Sequence, residues 1–218
     1  MPRIMPASVR KRRGESGTVK WRLHTHFEVD RHVPSRIDVT PNGGGEHDER
    51  AVLNRTIESD RLYVMDRGYA KFKLFNDIVA TGSSYVYRLR DNSVYEVVED
   101  QPLTDTDRAA NVLSDQIVRF GKSGHKATDQ PNHTMRLVLV QIRPHVSKGK
   151  RCSWDRKTGG GSSGVDRDGF LRIATNLLDV PAEIIALLDA YRWTIEIFYQ
   201  PPVAASASSN ICWAAATC

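Results

Sequence analysis

The pattern of apolar and polar positions divides the chain into short elements, and the clearest lie between Arg61 and Gly82. Leu62, Tyr63, Val64 and Met65 form an apolar run of strand length, and Asp66 stands where that run stops. An unpaired carboxylate inside a buried strand is costly. At the strand's C-terminal end it can instead face the open crevice where α/β sheets place their ligands. Gly68 is expected to let the backbone turn tightly. Phe72, Phe75, Ile78 and Val79 then recur at helical spacing, and Thr81-Gly82 supplies a stop. For Asp66, an ordinary surface carboxylate in a strand-helix turn is the plainer alternative.

Upstream, Trp21 to Val29 alternates with a period of two, which predicts a half-buried strand. Arg22, His24, His26 and Glu28 share its polar face. A metal-binding histidine pair is one reading, and two polar residues on a solvated strand face is the commoner one. Ser35 to Thr40 predicts a partner strand, and Asp48 to Ile57 a helix capped by Asp48, with Val52, Leu53 and Ile57 inward. Ser83 to Arg90 predicts a further strand with Arg88 and Arg90 on one face, placed to touch phosphates or, more commonly, to solvate a strand end.

From Asn92 to about Asp168, Tyr95–Val98, Gln116–Phe120 and Met135–Ile142 read as strands between polar loops, a mainly β insertion. Gly159 to Gly164 reads as a plain loop, since no strand leads in and no Lys-Ser/Thr follows. Phe170 to Asn176 predicts a strand. A helix follows, with Asp179 as cap, Pro181 in its first turn and an inward stripe of Ile184, Leu188, Tyr191, Ile195 and Phe198. Asp189, Arg192 and Glu196 lie together on another face, where an exposed Arg192–Glu196 pair would add about 0.3–0.5 kcal/mol. Beyond Phe198 the pattern collapses at Pro201-Pro202.

Composition narrows the class. Charged residues at 26% and hydrophobic ones at 40% fit a soluble globular profile, and no apolar run reaches the roughly 20 residues that span a bilayer. Cys152, Cys212 and Cys218 form no recognisable framework, so a reducing cytoplasm is expected. Lys plus Arg number 31 against 26 Asp plus Glu, an excess that permits a polyanionic partner without requiring one. It is concentrated in Arg10-Lys11-Arg12-Arg13 and in a looser run from Lys148 to Lys157, each more often a solvated loop than a binding site.

YVMDRGYAKFKLF, followed much later by YRWTIEIFY, resembles the insertion-sequence DDE transposases of the subgroup with a Tyr-Arg-Glu-Lys signature. The resemblance runs from about Trp21 to Phe198. It implies an α/β, RNase H-like mixed sheet flanked by helices, with a β-rich insertion before the last catalytic helix. It also implies that Asp66, in D-R-G-Y, and Glu196 are catalytic and metal-holding, with Arg192 as the signature arginine. Tyr191, Arg88 and Arg90 join Arg192 as candidate DNA or phosphate contacts. Carboxylates are hard oxygen ligands suited to Mg²⁺ or Mn²⁺, and two such ions serve both oxygens of a phosphodiester displacement.

The division that follows is a basic arm at 1–18, a catalytic core at 19–91 and 169–199, the β-rich insertion at 92–168 and an aberrant tail at 200–218. The partners implied are the element's terminal repeats and target DNA, with a possible homodimer and no membrane, near the nucleoid. Three departures stand against full activity. Residues 1–20 hold no Asp that could be the family's first aspartate, Asp189 occupies the signature tyrosine's place, and Val203 the signature lysine's. The chain therefore reads as an incomplete, catalytically impaired copy. The alternatives are a non-catalytic DNA-binding remnant that interferes with an intact transposase, and an unstable fragment without function.

Overall fold

The computed structural model describes the backbone of residues 8–10, 18–90, 93–121, 130–142, 169–198 and 211–217, with side chains for all of these except 8–10, 18, 19, 196 and 211–217. In chain order the elements are β1 (Ser8–Arg10), β2 (Thr18–Glu28), β3 (Val33–Pro41), α1 (Glu49–Arg55), β4 (Leu62–Met65), α2 (Phe72–Ala80), β5 (Ser84–Arg88) and β6 (Tyr95–Asp100). Then follow α3 (Asp105–Ala109), β7 (Val112–Phe120), β8 (Met135–Gln141), β9 (Phe170–Thr175), α4 (Ala182–Tyr191), α5 (Trp193–Phe198) and β10 (Ile211–Thr217).

All the strands join one mixed sheet in the order β1-β2-β10-β4-β5-β9-β8-β7-β6, with β3 paired to β2. β4 and β5 are parallel and joined through α2, the crossover that parallel neighbours require. Leu53 of α1 and Leu74, Phe75 and Ile78 of α2 cover one face, packing on Tyr63, Met65, Tyr85 and Tyr87. Ala182 and Ile185 of α4 and Ile195 of α5 cover the other, packing on Phe27, Val64, Val86 and Ile173. This is the RNase H-like sheet flanked by helices that the sequence leads one to expect. The strands read as a β insertion continue the same sheet, because β8 pairs with β9 from Arg136↔Thr175 to Gln141↔Phe170. No helix among the described residues is long and apolar enough to cross a membrane.

Local signals explain most boundaries. Asp48 caps α1 by accepting from the Arg50 N–H at 3.0 Å, and its contact with the Arg50 guanidinium holds its carboxyl down at about 2. α2 ends in a Schellman arrangement: Ser83 N–H reaches Ile78 O at 3.1 Å, and Gly82 takes the positive φ of 78° that the motif needs.

Three elements differ from expectation. Residues 211–217 form a strand at the centre of the sheet, parallel to β2 and antiparallel to β4. Their Ala-rich sequence shows no alternation, so pairing on both sides sets the conformation rather than pattern. Ser8–Arg10, inside the expected arm, pairs with Thr18–Lys20. The polar face of β2 is not solvated either, since His24 and His26 are both buried. Glu49 at the start of α1 reaches Arg22 at 3.1 Å, and Thr56 at its end lies 3.1 Å from His26 Nε2. His24 Nε2 lies 2.8 Å from Thr40 Oγ1. The basic runs at 11–13 and 148–157 and the glycine stretch at 159–164 lie outside the described residues.

The far half of the sheet is tied to α4 by one buried guanidinium. Arg136 on β8 donates to both carboxylate oxygens of Asp115 on β7, at 2.7 and 2.6 Å. Its third nitrogen donates to the carbonyls of Leu177, Leu178 and Val180, in the turn that leads into α4. Asp107 on α3 adds a second tie. Its Oδ2 completes a capping box with Thr104, and its Oδ1 accepts from the Glu183 N–H at 3.0 Å. Burial pushes the Asp107 carboxyl up, but its bonds with Glu183 and Thr104 outweigh that and hold it well below the usual range. The helix therefore starts with Pro181 as its cap, without the Asp179 cap that the sequence suggests.

Two outcomes follow for stability. Asp115→Ala strands a buried guanidinium and should cost about 3–5 kcal/mol in urea denaturation, while an exposed pair such as Lys73–Asp77 should cost under about 1 kcal/mol. Burial lowers the pKa of His24 and His26 from the ordinary 6.5; Arg22, Arg36 and Arg55 act in the same sense, while Asp38, Glu49 and Glu58 oppose it. The unfolded chain then binds more protons, so stability is full above pH 6.5 and is lost as pH falls through the folded values. Thermal melts on acidification from pH 7 should show this loss, at most about 1.4 kcal/mol per pH unit for each histidine, and His26→Gln should flatten it.

Candidate functional site at the end of the central strand

Asp66 continues β4 in extended conformation (φ −85°, ψ 179°) and then turns into a 3-10 turn over Arg67–Tyr69. Its Oδ1 accepts from the Gly68 N–H at 2.8 Å, and Tyr69 N–H reaches the Asp66 carbonyl at 3.2 Å. The glycine is required for close approach: a Cβ at position 68 would stand 2.9 Å from Asp66 Oδ1. Arg90 braces the same turn by donating Nε and Nη2 to the Arg67 carbonyl at 3.4 and 3.3 Å. Its guanidinium has a structural task, although the residue is exposed as expected.

The parallel register Val64↔Val86 and Met65↔Tyr87 brings Arg88 beside Asp66 at the next step. Arg88 is buried and shares the face of Val86, beneath α4, so it does not solvate a strand end. On the other side, Ala214↔Met65 brings Trp213 of β10 next to Asp66, and Trp213 also pairs with Thr25. Asp66 thus sits at a strand end between an arginine and a tryptophan position.

The helix above departs most from its predicted face. Its buried positions are Ala182, Ile185, Asp189, Arg192 and Ile195, whereas Ile184, Tyr191 and Phe198 of the expected stripe are exposed. The face assigned to solvent is turned inward, because its two charges come paired. Asp189 and Arg192 are 1% and 5% exposed, with Arg192 Nε 3.9 Å from Asp189 Oδ1. The Arg192 guanidinium also lies 5.3 Å from the Trp193 ring centre. Arg192 marks the junction of α4 and α5, where its N–H bonds Asp189 O at 3.2 Å. Tyr191 points away from this group, along the outer face with Ile184 and Leu187.

Glu196 lies on α5, one turn after Arg192, and its side chain lies outside the described residues. Ile195 before it packs in one cluster with Phe27 and Val64, the latter two residues before Asp66 on the same strand face. The structure therefore brings Asp66, Arg88, Asp189 and Arg192 to one side of the sheet, with the backbone of Glu196 on that side as well. Among the described residues no group of three or more His, Cys, Asp or Glu side chains could hold a metal ion. The donor type at Asp66 fits a hard cation, with one oxygen committed to Gly68.

Sequence reasoning missed Asp189 as an inward partner, the Arg136–Asp115 tie and the cap that Asp107 lends to α4. A signal existed for the last of these, in the capping-box spacing of Thr104 and Asp107.

The family model for the transposase DDE domain matches residues 7–200. A Geobacillus stearothermophilus protein named as a probable transposase for insertion sequence element IS5377 is 26% identical over 188 residues, covering 86% of this chain and 41% of that protein. A Sinorhizobium fredii protein named as transposase y4zB is 24% identical over 182 residues, covering 82% of this chain and 43% of that protein. The chain thus spans about two fifths of the length of these relatives. No solved structure matches it. With the β4 turn, the RNase H-like sheet and the inward α4–α5 face all inside the matched range, the chain belongs to the DDE transposase domain family.

Proposed function

We propose that this chain is a DNA-acting domain of the DDE type whose own strand-cleaving capacity is impaired. The observation that carries the reading is the placement of Asp66 at the end of β4, beside Arg88 and on the sheet face that α5 covers through Ile195. Asp66 and Glu196 would hold Mg²⁺ or Mn²⁺, which activates the attacking oxygen and stabilises the leaving one when bound. Arg88 and Arg192 hold positive charge on that side, and a guanidinium matches a phosphate by bidentate hydrogen bonds. Asp189 fixes Arg192 from within. The Gly68 N–H keeps the Asp66 carboxylate turned into the loop.

The impairment follows from the neighbour of Asp66 across β10. That register position holds Trp213, which offers no oxygen ligand beside Asp66. Two divalent cations held by only two carboxylates would be under-compensated. This favours the second reading as well, a domain that binds DNA without cutting it and competes with an intact transposase for its sites.

The metal assignment is tested by titrating Mn²⁺ into the intact chain: Asp66→Asn and Glu196→Gln should each weaken binding at least about tenfold. Affinity unchanged in both variants would refute it. Purified chain should leave supercoiled plasmid intact in Mg²⁺ yet bind duplex DNA with an affinity that falls as salt rises. Arg90→Ala should lower the slope of log K against log salt by about one if Arg90 contacts a phosphate. Robust Mg²⁺-dependent nicking would remove the impairment, and absence of binding at low salt would remove both readings.

A further inference from the structure

We propose that the open edge of β3 pairs with the same edge of a second copy of this chain, antiparallel and centred on Ile37. Among the described residues β3 has a neighbouring strand only on its β2 side, and β6 forms the opposite end of the sheet. The Asn42 N–H donates to Lys20 O at 2.8 Å, one step beyond the pair Trp21↔Pro41. Successive residues of an antiparallel strand turn their backbone groups to alternate sides, so Thr40 and Asp38 face β2 as Asn42 does. Ile37 and Val39 therefore present N–H and C=O to the open edge. Pro41 stands at an outward position too, where its missing N–H breaks no bond to β2. The side chains along this edge are apolar and uncovered, with Ile37 49% and Val39 59% exposed.

Charge and the count of donors together select a second copy as the occupant. Arg36 and Asp38 share one face of β3, with Arg36 Nε and Nη2 donating to the Asp38 carboxylate at 2.6 and 3.1 Å. When two β3 strands run antiparallel about Ile37, Arg36 of each copy stands opposite Asp38 of the other. Each charge then has an opposite charge both beside it and across from it. Centring the pair on Arg36 or on Asp38 would set like charges against each other. Centring it on Val39 would bring Pro41 opposite Ile37, and the Ile37 carbonyl would face a residue with no N–H. At the Ile37 register the two isoleucines exchange both backbone bonds, and their side chains meet on one face. The bulge at Ser35 falls outside this centre. The far edge is different in kind: β6 carries Glu96, Glu99 and Asp100 and a bulge between Val97 and Glu99, an acidic edge that resists pairing with its own copy. Because the pairing uses the same edge of both molecules, it closes at two copies. The twofold axis of such a pair is perpendicular to the sheet, so both copies present their α4–α5 sides on the same face. The pairing does not depend on the DNA reading.

Sedimentation of the unaltered chain should show a species of twice the 24.5 kDa chain mass that gives way to the single chain on dilution. Arg36→Asp sets like charges opposite each other twice in the pair and should weaken association at least about tenfold, and adding Asp38→Arg should restore it. A single-chain mass at every concentration overturns the proposal, and so does association that Arg36→Asp leaves unchanged. A second measurement fixes the edge and the register. With Cys152, Cys212 and Cys218 changed to Ser, Ile37→Cys should give a disulfide-linked dimer on mild oxidation, because Cα atoms of an opposed hydrogen-bonded pair lie about 5.5 Å apart. Val98→Cys on β6 is the control, and linkage there as ready as at Ile37→Cys refutes the assignment to β3.

Discussion

A guanidinium cannot be taken out of water alone, and that constraint decides where the last helices of this domain sit. Arg136 is buried on β8 with every nitrogen engaged: Asp115 neutralises its charge, and carbonyls from Leu177, Leu178 and Val180 use the donors that remain. Those carbonyls lie in the turn between β9 and α4, so satisfying the charge fixes the entry point of the helix. Asp107 then accepts the Glu183 N–H and sets the first turn. From there the periodicity of α4 dictates that Asp189 and Arg192 face the sheet. The position of Arg192 thus depends on a polar tie in the far half of the sheet.

Elements set by local preference are legible in the chain, and elements set by tertiary pairing are not. The β4 strand, the turn after Asp66, α2 and its glycine stop are set by local preferences that agree with one another, so they were legible. Tyr63, Met65, Phe75 and Ile78 pack where their spacing places them. The α4 face was misread because periodicity assigns charges to solvent, while here tertiary pairing buries them: Ile185 lies inward and Ile184 outward, and no apolar count distinguishes the two. His24 and His26 fail for a related reason, since a polar strand face becomes interior once a helix end supplies hydroxyl and carboxylate partners. β10 was illegible because alanines carry neither amphipathic pattern nor strand preference; non-local pairing alone makes that segment a strand.

Gly68 shows how a motif residue can be right for a different reason. Its backbone does not need the left-handed region. It needs the space of a missing Cβ, because the Asp66 carboxylate folds over it at hydrogen-bond distance. The D-R-G part of the motif is therefore one steric unit: the aspartate caps the turn, the arginine's carbonyl receives Arg90, and the glycine makes room. Substituting the glycine would move the carboxylate itself.

Charge balance on the α4–α5 side then bears on function. Of the carboxylates there, Asp66 stands at the strand end and Asp189 lies beside Arg192. Arg88 and Arg192 set two positive charges against them, and β10 adds no charge at the position next to Asp66. A site meant to gather cations needs an excess of carboxylate, whereas one that receives phosphate tolerates the reverse. With Glu196 counted, three carboxylates stand against two guanidiniums in this group, one negative charge in excess. A carboxylate brought into the β10 position would shift that balance by one full charge, directly beside Asp66. The strand that fills the slot between β2 and β4 therefore bears both on how the sheet is closed and on which chemistry its crevice can support.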